Sequence, residues 1–491
     1  MAEIRIHPSR DQFHILKDFQ RVPVAVSQKI SLPPVWPLSL WEESTPYFLI
    51  SESLREQGPY SLYSYVAVPE KPNVYFTGED IGSSYQTTLY ELSSIENLSH
   101  CMNPKVEGLP PFQGGYWCLL SYELTPLLEP YIKRKIKLST FPALILLEIN
   151  QFLAYAHKDQ RLFLVDANDP GPSFPLKERY DQRIKVLLSR LDLIKKFLTK
   201  EVKIGKHKNK MEYKPLTRRE DFLSKVEYIR DLIKGGECIQ VVLSQRFRIL
   251  SSHRPIEVYM RLRAQDPTPY CTFSKFNDFY LIAASPEMLV RHEKGLVISR
   301  PIAGTRPRSG HTFEDLFLAE SLLKDPKELS EHMMLVDLAR NDLGRICVPG
   351  TVKLSRLAGI EQYHKVVHIV SEVTGKALSN IGPLDLIRAT FPAGTVTGAP
   401  KIRAMEIIEE VEELPRGPYA GAFGFISYDG LLDLGITIRS AFGSKEEMYV
   451  QAGAGIVIDS IPANEYQETL SKARSLFKAF QGGEDGVCPQ K

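Results

Sequence analysis

Apolar runs of strand character dominate the first 165 residues. Phe48-Leu-Ile50 is followed by a Gly58-Pro59 break and then by Tyr60 to Val68, rich in Tyr and Val, which reads as strand, turn and strand. Leu109-Pro-Pro-Phe-Gln-Gly-Gly115 is a turn opening into Tyr116-Trp-Cys-Leu-Leu-Ser-Tyr122, and Phe141 to Ala156 is a further run with strand character. The period then changes. Lys177 to Leu198 is helical, and Arg219 to Lys234 is an amphipathic helix with Phe222, Val226, Ile229 and Ile233 on one face. Cys238 to Leu250 and Phe279 to Arg291 return to strand patterns, while Phe313 to Leu323 and Lys327 to Ala339 are helical. Ile402, Met405, Ile408 and Val411 recur on one face, opposite Arg403, Glu406, Glu409, Glu410 and Glu413, so a helix begins at Pro400. Tyr419 to Ser427, Leu432 to Phe442 and Glu447 to Asp459 are strands, and Glu465 to Phe480 is a closing helix. Strands come in pairs and do not alternate strictly with helices, which predicts an α+β fold with large, mainly antiparallel β-sheets flanked by helices.

Composition changes between the two halves. Asn168-Asp-Pro-Gly-Pro-Ser-Phe-Pro175 is a cluster of breakers, and Lys200 to Lys214 is basic and poor in hydrophobes, the mark of a solvated linker. The expected organisation is a mixed, strand-rich domain over 1–165, a linker over 166–217, a larger domain over 218–481 and a tail over 482–491. A chain of 491 residues that is 43% hydrophobic has enough apolar material for two domains or one large composite. The formal net charge of +2 gives no reason to expect nucleic acid or an acidic membrane surface as a partner. Six scattered cysteines without a Cys-x-x-Cys pair fit reduced thiols. Met1 to Lys17 carries no apolar core of a secretory leader, and no apolar run reaches membrane-spanning length, so a soluble cytoplasmic protein is expected.

The stretch most suggestive of chemistry is Phe391-Pro-Ala-Gly-Thr-Val-Thr-Gly-Ala-Pro-Lys401. Gly394 and Gly398 permit tight turns with free N–H groups at a helix mouth, and Thr395 and Thr397 add hydroxyls, so the segment is a candidate anion cradle or simply a structural turn. Glu328 and Glu331 share one helical face, and Glu465 and Glu468 repeat that spacing at the start of the last helix. Four carboxylates brought together repel unless a hard divalent cation sits among them; on spacing alone an exposed helix face is the plainer reading of each pair. His368 lies in Val366-Val-His-Ile-Val370, where a satisfied buried histidine is the plainer reading, and Arg439 in Ile436-Thr-Ile-Arg439 reads as a strand residue.

Together with Gln240-Val-Val-Leu-Ser-Gln-Arg-Phe247, Ser285-Pro-Glu-Met-Leu-Val290, Arg300-Pro-Ile-Ala-Gly-Thr-Arg-Pro-Arg308, Glu331-His-Met-Met-Leu-Val-Asp-Leu-Ala-Arg-Asn-Asp-Leu-Gly-Arg345, His368-Ile-Val-Ser371 and Gln451-Ala-Gly-Ala-Gly-Ile-Val457, these segments occur in one order. They resemble the chorismate-utilising enzymes, in particular the large subunits of anthranilate synthase and aminodeoxychorismate synthase. The resemblance runs from about Phe222 to Phe480 and continues more weakly through the first 165 residues.

The resemblance implies an anthranilate-synthase-like fold and a set of roles. Glu328, Glu331, Glu465 and Glu468 match a Mg²⁺ site that also grips the ring carboxylate of chorismate. Glu287 matches the acid that assists departure of the C4 hydroxyl, a poor leaving group without a proton. His368 matches a histidine beside the reacting ring, and Thr395 a substrate contact from the signature turn. Arg439 and Tyr419 match residues that hold the enolpyruvyl carboxylate, with N–H donors from Gly453, Ala454 and Gly455 and charge balance from Lys472.

Two positions discriminate within the family. Gln240 stands where water-adding members carry a lysine base, and Ala303 where many aminodeoxychorismate synthases carry a nucleophilic lysine. Ammonia needs no such base, so the pattern looks most like component I of anthranilate synthase, supplied with ammonia by a separate glutamine amidotransferase subunit, since no Gly-x-Cys-x-Gly turn occurs here. Leu109-Pro-Pro-Phe-Gln-Gly-Gly115 leans toward aminodeoxychorismate synthase, the alternative. A non-catalytic chorismate- or tryptophan-binding regulatory subunit is a third class, and loss of a metal carboxylate, its expected mark, is not seen. The family's tryptophan-feedback motif is altered to Leu49-Ile-Ser-Glu52 and Gly58-Pro-Tyr-Ser61, although Asp266-Pro-Thr-Pro-Tyr270 resembles its second half. Ser51, Glu52, Tyr60, Pro269 and Tyr270 are thus candidates for a feedback pocket in which tryptophan inhibition is weak or absent.

Overall fold

A computed structural model of the chain describes residues 3–16, 19, 21–31, 39–54, 63–69, 72, 74–77, 95, 104–129, 132, 137, 139–168, 176–199, 211–308, 311–362 and 366–482. Residues 200–210 of the basic run Lys200 to Lys214, Gly58-Pro59, Tyr60 and the tail from 483 onward lie outside them, and the end of that run is not linker but the strand Glu212–Pro215, paired with Gln240–Leu250. Among the described residues two antiparallel sheets form the frame, one of 13 strands and one of 10. Tyr47–Glu52 and Tyr63–Ala67 from the first part of the chain join the first sheet at Tyr270–Phe276, and Gly115–Leu120 joins the second at Ala422–Ser427. The residues before 166 therefore extend both sheets and build one composite with those after 217, as the apolar content allowed.

Period-two alternation decides which core each side chain enters. In Phe279–Ser285, Leu281 and Ala283 join the core between the sheets, and Tyr280, Ile282 and Ala284 join a second core. That second core packs the outer face of the first sheet against the helices Leu176–Leu198, Pro255–Gln265 and Pro462–Gln481. The helices are close to those expected, including Arg219–Lys234, Thr312–Lys324 and Lys401–Val411. Asp325 separates Thr312–Lys324 from Pro326–Gly344 by accepting from the N–H groups of Lys327 and Glu328, with Pro326 opening the second helix. No described helix is long and apolar enough to cross a membrane.

Three runs that read as single strands are each two strands in different sheets. Phe141 to Ala156 divides into Pro142–Ile149 in the second sheet and Gln151–Ala156 in the first. Phe279 to Arg291 breaks at Pro286-Glu287, leaving Phe279–Ser285 in the first sheet and Met288–Glu293 in the second. Leu432 to Phe442 breaks at Thr437 to Arg439, between Leu432–Ile436 and Ser440–Gly443. Arg439 is thus not a strand residue, and its φ of 49° lies in the left-handed region. The last two joints are bonded together, Ile436 N–H to Glu287 O at 3.0 Å and Ala284 N–H to Arg439 O at 3.1 Å.

The signature turn docks as a two-residue strand, Gly398-Ala399, against Gln240-Val241. Gly398 has a φ of 135°, and a Cβ there would lie 2.1 Å from the Gln240 carbonyl oxygen. Gly398→Ala is expected to cost about 2–4 kcal/mol, since both backbone conformation and approach distance exclude a methyl; a denaturant titration beside the unsubstituted chain checks this, and an unchanged midpoint would contradict it.

Candidate active site

Glu287 is held at the joint between the two sheets, 7% exposed. Burial pushes its carboxyl up to about 8, with the Thr395 hydroxyl and the Lys472 charge pulling the other way. A carboxyl with that value is protonated at neutral pH and serves as a proton donor. Thr395 comes from the short 3₁₀ turn Gly394–Val396, and its buried hydroxyl completes no hydrogen bond of good geometry. Thr397 is turned away: its hydroxyl donates to Ala393 O at 2.9 Å and so takes no part in an anion cradle.

Lys472 links the remaining groups. Its ammonium bonds Gly453 O at 2.9 Å and Glu468 at 2.8 Å. Because the Gly453 carbonyl points toward Lys472, alternation turns the N–H groups of Gly453 and Gly455 away from the strand Gln240–Leu250 and commits Ala454 to the ladder. Two of the three expected backbone donors are therefore available and Ala454 is not. Space also favours glycine at 453, where a Cβ would lie 2.6 Å from the Tyr419 hydroxyl and 3.1 Å from Leu243 O, while one at Gly455 would lie 2.5 Å from Gln240 Nε2, the movable end of a side chain. Gln240 donates to Glu331 at 3.3 Å.

The four glutamates sense one another. Burial raises the pKa of Glu331, and the charges of Glu328 and Glu468 raise it further against Gln240 and Lys472. Glu465 is raised by burial and by Glu468, offset by Ser460, Lys327 and Lys472. This donor set, all hard oxygen with mutual repulsion, fits a divalent cation. The arrangement itself is not a closed cage, since no group of three His, Cys, Asp or Glu side chains among the described residues stands ready to hold a metal. Arg306 grips Glu328 at 2.8 Å and Asp325 at 3.0 Å, and Lys472 grips Glu468. Arg306 meets Glu328 only through the fold, 22 residues away in sequence.

His368 is buried on the strand Val366–Lys376 and its Nδ1 lies 2.9 Å from Gly304 O. A carbonyl only accepts, so Nδ1 carries a proton and donates this bond. Gly304 borders Glu328, whose Oε2 would be 3.1 Å from a Cβ there, which joins His368 to the carboxylates. Ala303, buried beside Gly304, brings no functional group. Arg439 is half-buried, with no side-chain hydrogen bond or ion pair to another described residue. A guanidinium held at a left-handed joint without a counter-ion is suited to an incoming anion.

The feedback candidates lie elsewhere. Ser51, Glu52, Pro269 and Tyr270 line a separate open cavity at the seam of the two sheets, with Tyr60 outside the described residues. Phe112 and Phe425, stacked at 4.3 Å, form its aromatic wall, and Arg291, Asp433 and Glu52 its charged side. Glu52 is already saturated. Oε1 accepts from Ser64 at 2.5 Å and Arg263 at 3.0 Å, and Oε2 from Tyr259 and Arg263, both at 2.5 Å. Burial raises its pKa, but Arg263, Ser64 and Tyr259 together hold it below the usual carboxylate value.

The sequence model of the chorismate binding enzyme family matches residues 49–478. The chain belongs to this family. It is 41% identical over 393 residues to anthranilate synthase component 1 of Pseudomonas aeruginosa, covering 78% of each chain. The component 1 of a Synechocystis species is 37% identical over 477 residues, covering 91% of this chain and 93% of the relative. Among solved structures, anthranilate synthase component I from Streptococcus pneumoniae superposes with a TM-score of 0.70 at 33% identity, over 88% of this chain and 91% of that one. Family membership makes the chain a chorismate-binding enzyme, and the fold agrees with the α+β, largely antiparallel architecture expected.

Glu287 also leaves a signature in stability. A carboxyl raised from 4.5 to about 8 favours the folded state fully below pH 4.5, and that contribution is lost as pH rises toward 8. Glu287→Gln removes the dependence, so the variant is expected to melt higher than the unsubstituted chain at pH 8–9 and to lose the advantage near pH 5. Melting curves at both pH values check this; a difference independent of pH would rule out a protonated Glu287.

Proposed function

We propose that this chain is component I of an anthranilate synthase, converting chorismate and ammonia to anthranilate and pyruvate for tryptophan synthesis. The observation that carries the reading is the buried Glu287 beside Thr395 and Lys472, its carboxyl raised by desolvation. Ammonia attacks C2 of the ring as the C4 hydroxyl leaves; Glu287 gives that hydroxyl its proton, so water departs and the double bonds shift between the two carbons. Loss of the C2 proton and of the enolpyruvyl side chain as pyruvate then aromatises the ring. His368 is read as the group that moves a proton beside the ring. Arg439, Tyr419 and the Gly453 and Gly455 N–H groups are read as the clamp on the enolpyruvyl carboxylate, and Thr395 as a substrate contact.

Glu328, Glu331, Glu465 and Glu468 are the residues that would hold Mg²⁺. The ion would neutralise their repulsion and grip the ring carboxylate, which draws electrons as the C4–O bond breaks. Gln240 and Ala303 supply neither a base for water nor a nucleophile, which supports direct attack by ammonia. The ammonia source is read as a separate glutamine amidotransferase subunit, and the setting as cytoplasmic. Residues 1–165 and 218–481 are read as two sequence modules that share both sheets, joined by 166–217. The Leu109–Gly115 turn favours a second reading, aminodeoxychorismate synthase component I.

Purified protein with chorismate, Mg²⁺ and ammonium at alkaline pH is expected to form fluorescent anthranilate and pyruvate. Chelation is expected to abolish turnover and excess Mg²⁺ to restore it. If chorismate instead passes only into a species that an added aminodeoxychorismate lyase converts to 4-aminobenzoate, the second reading replaces the first.

The seam cavity is read as the regulatory pocket. With all four acceptor positions of Glu52 filled, little capacity remains there for a ligand ammonium group, which supports the expectation from the altered motif. Turnover is expected to stay flat up to millimolar tryptophan; strong inhibition at micromolar levels would refute this.

A further inference from the structure

Between the helix Lys401–Val411 and the strand Ala422–Ser427, Arg416 is only 1% exposed and Glu412 7%. Arg416 meets Glu412 in a two-pronged contact, Nε to Oε2 at 2.9 Å and Nη2 to Oε1 at 2.7 Å. Its other donations go to main-chain carbonyls, Nη1 to Val396 and Nη2 to Val242, both at 2.7 Å. Glu412 Oε1 in turn accepts from Ser244 N–H at 2.7 Å and Ser244 Oγ at 2.9 Å. The rings of Tyr122 and Tyr419 lie 5.0 and 5.5 Å from the guanidinium carbon.

Every anchor of this pair is adjacent to a group of the candidate site. Val396 follows Thr395 in the signature turn. Val242 and Ser244 stand opposite Gly455 and Gly453, whose N–H groups face the site. The hydroxyl of Tyr419, whose ring borders Arg416, closes on Gly453. The Val242 N–H is itself taken by Thr397 O at 2.8 Å, so one strand residue is tied to the turn directly and through Arg416. Apolar residues of the same volume often replace a buried ion pair without loss of stability. They would not aim the Val396 and Val242 carbonyls, and that aim sets where Thr395 and the glycine strand sit.

We propose that Glu412 and Arg416 are positioning residues that fix Thr395 and the Gly453–Gly455 backbone relative to each other for the substrate. The inference rests on the function above only in taking chorismate as the ligand. It is tested with Arg416→Lys and Glu412→Gln, each alone and combined with Thr395→Ala or His368→Asn. Melting curves accompany chorismate turnover with ammonium and equilibrium chorismate binding.

Both single variants are expected to unfold cooperatively, with kcat/KM reduced about 10- to 100-fold, the scale of a misplaced contact. Adding Thr395→Ala should then cost less than about 3-fold, far below its cost alone, whereas His368→Asn should keep its full cost. A Thr395→Ala effect that multiplies in full, or folded variants within about 2-fold of the unsubstituted chain, would overturn the proposal. An unsubstituted chain that binds chorismate without turning it over defeats the functional reading instead, and the binding cycle then decides the positioning role.

Discussion

Two wide sheets packed face to face share one chain only where strands leave one sheet and enter the other. Every such joint interrupts a hydrogen-bonded ladder inside a packed core, so its polar groups need partners at the seam. Here the joints Pro286-Glu287 and Thr437 to Arg439 satisfy each other through main-chain bonds. The same constraint places a carboxyl and a guanidinium where regular strands would bury apolar side chains. Arg439 adopts a left-handed backbone there, a strained choice for a residue with a Cβ.

Charge balance is the second organising term. Glu287, Glu331, Glu465 and Glu468 all feel Lys472. One ammonium cannot neutralise so many carboxylates, and the system answers in two ways. Burial raises the pKa of Glu287, whereas Glu328 and Glu468 borrow Arg306 and Lys472 as counter-ions. The borrowed cations leave the carboxylates close enough to repel and so suited to a divalent ion.

The seam cavity and the candidate site are separated by very little protein. Pro286 and Met288 line the seam cavity, while Glu287 between them faces Thr395. Arg300 lines the same cavity and pairs with Glu361, whose backbone is registered against His368.

Much of the fold was legible because apolar periodicity is a local property. The helices Leu176–Leu198, Arg219–Lys234 and Lys401–Val411 fall close to the expected spans, since their faces are written at i, i+3 and i+4. The residue types of the site were legible too, from the resemblance of ordered motifs. Spacing gave the shared faces of Glu328 with Glu331 and of Glu465 with Glu468. Sequence did not reveal that three apolar runs each serve two sheets, because a buried strand reads alike in either. Nor did it distinguish Ala454 from its glycine neighbours, or Thr397 from Thr395, since those depend on which way a backbone group faces. The raised pKa of Glu287 and the aim of Arg416 come only from tertiary structure, because desolvation and charge depend on neighbours brought together from distant parts of the chain.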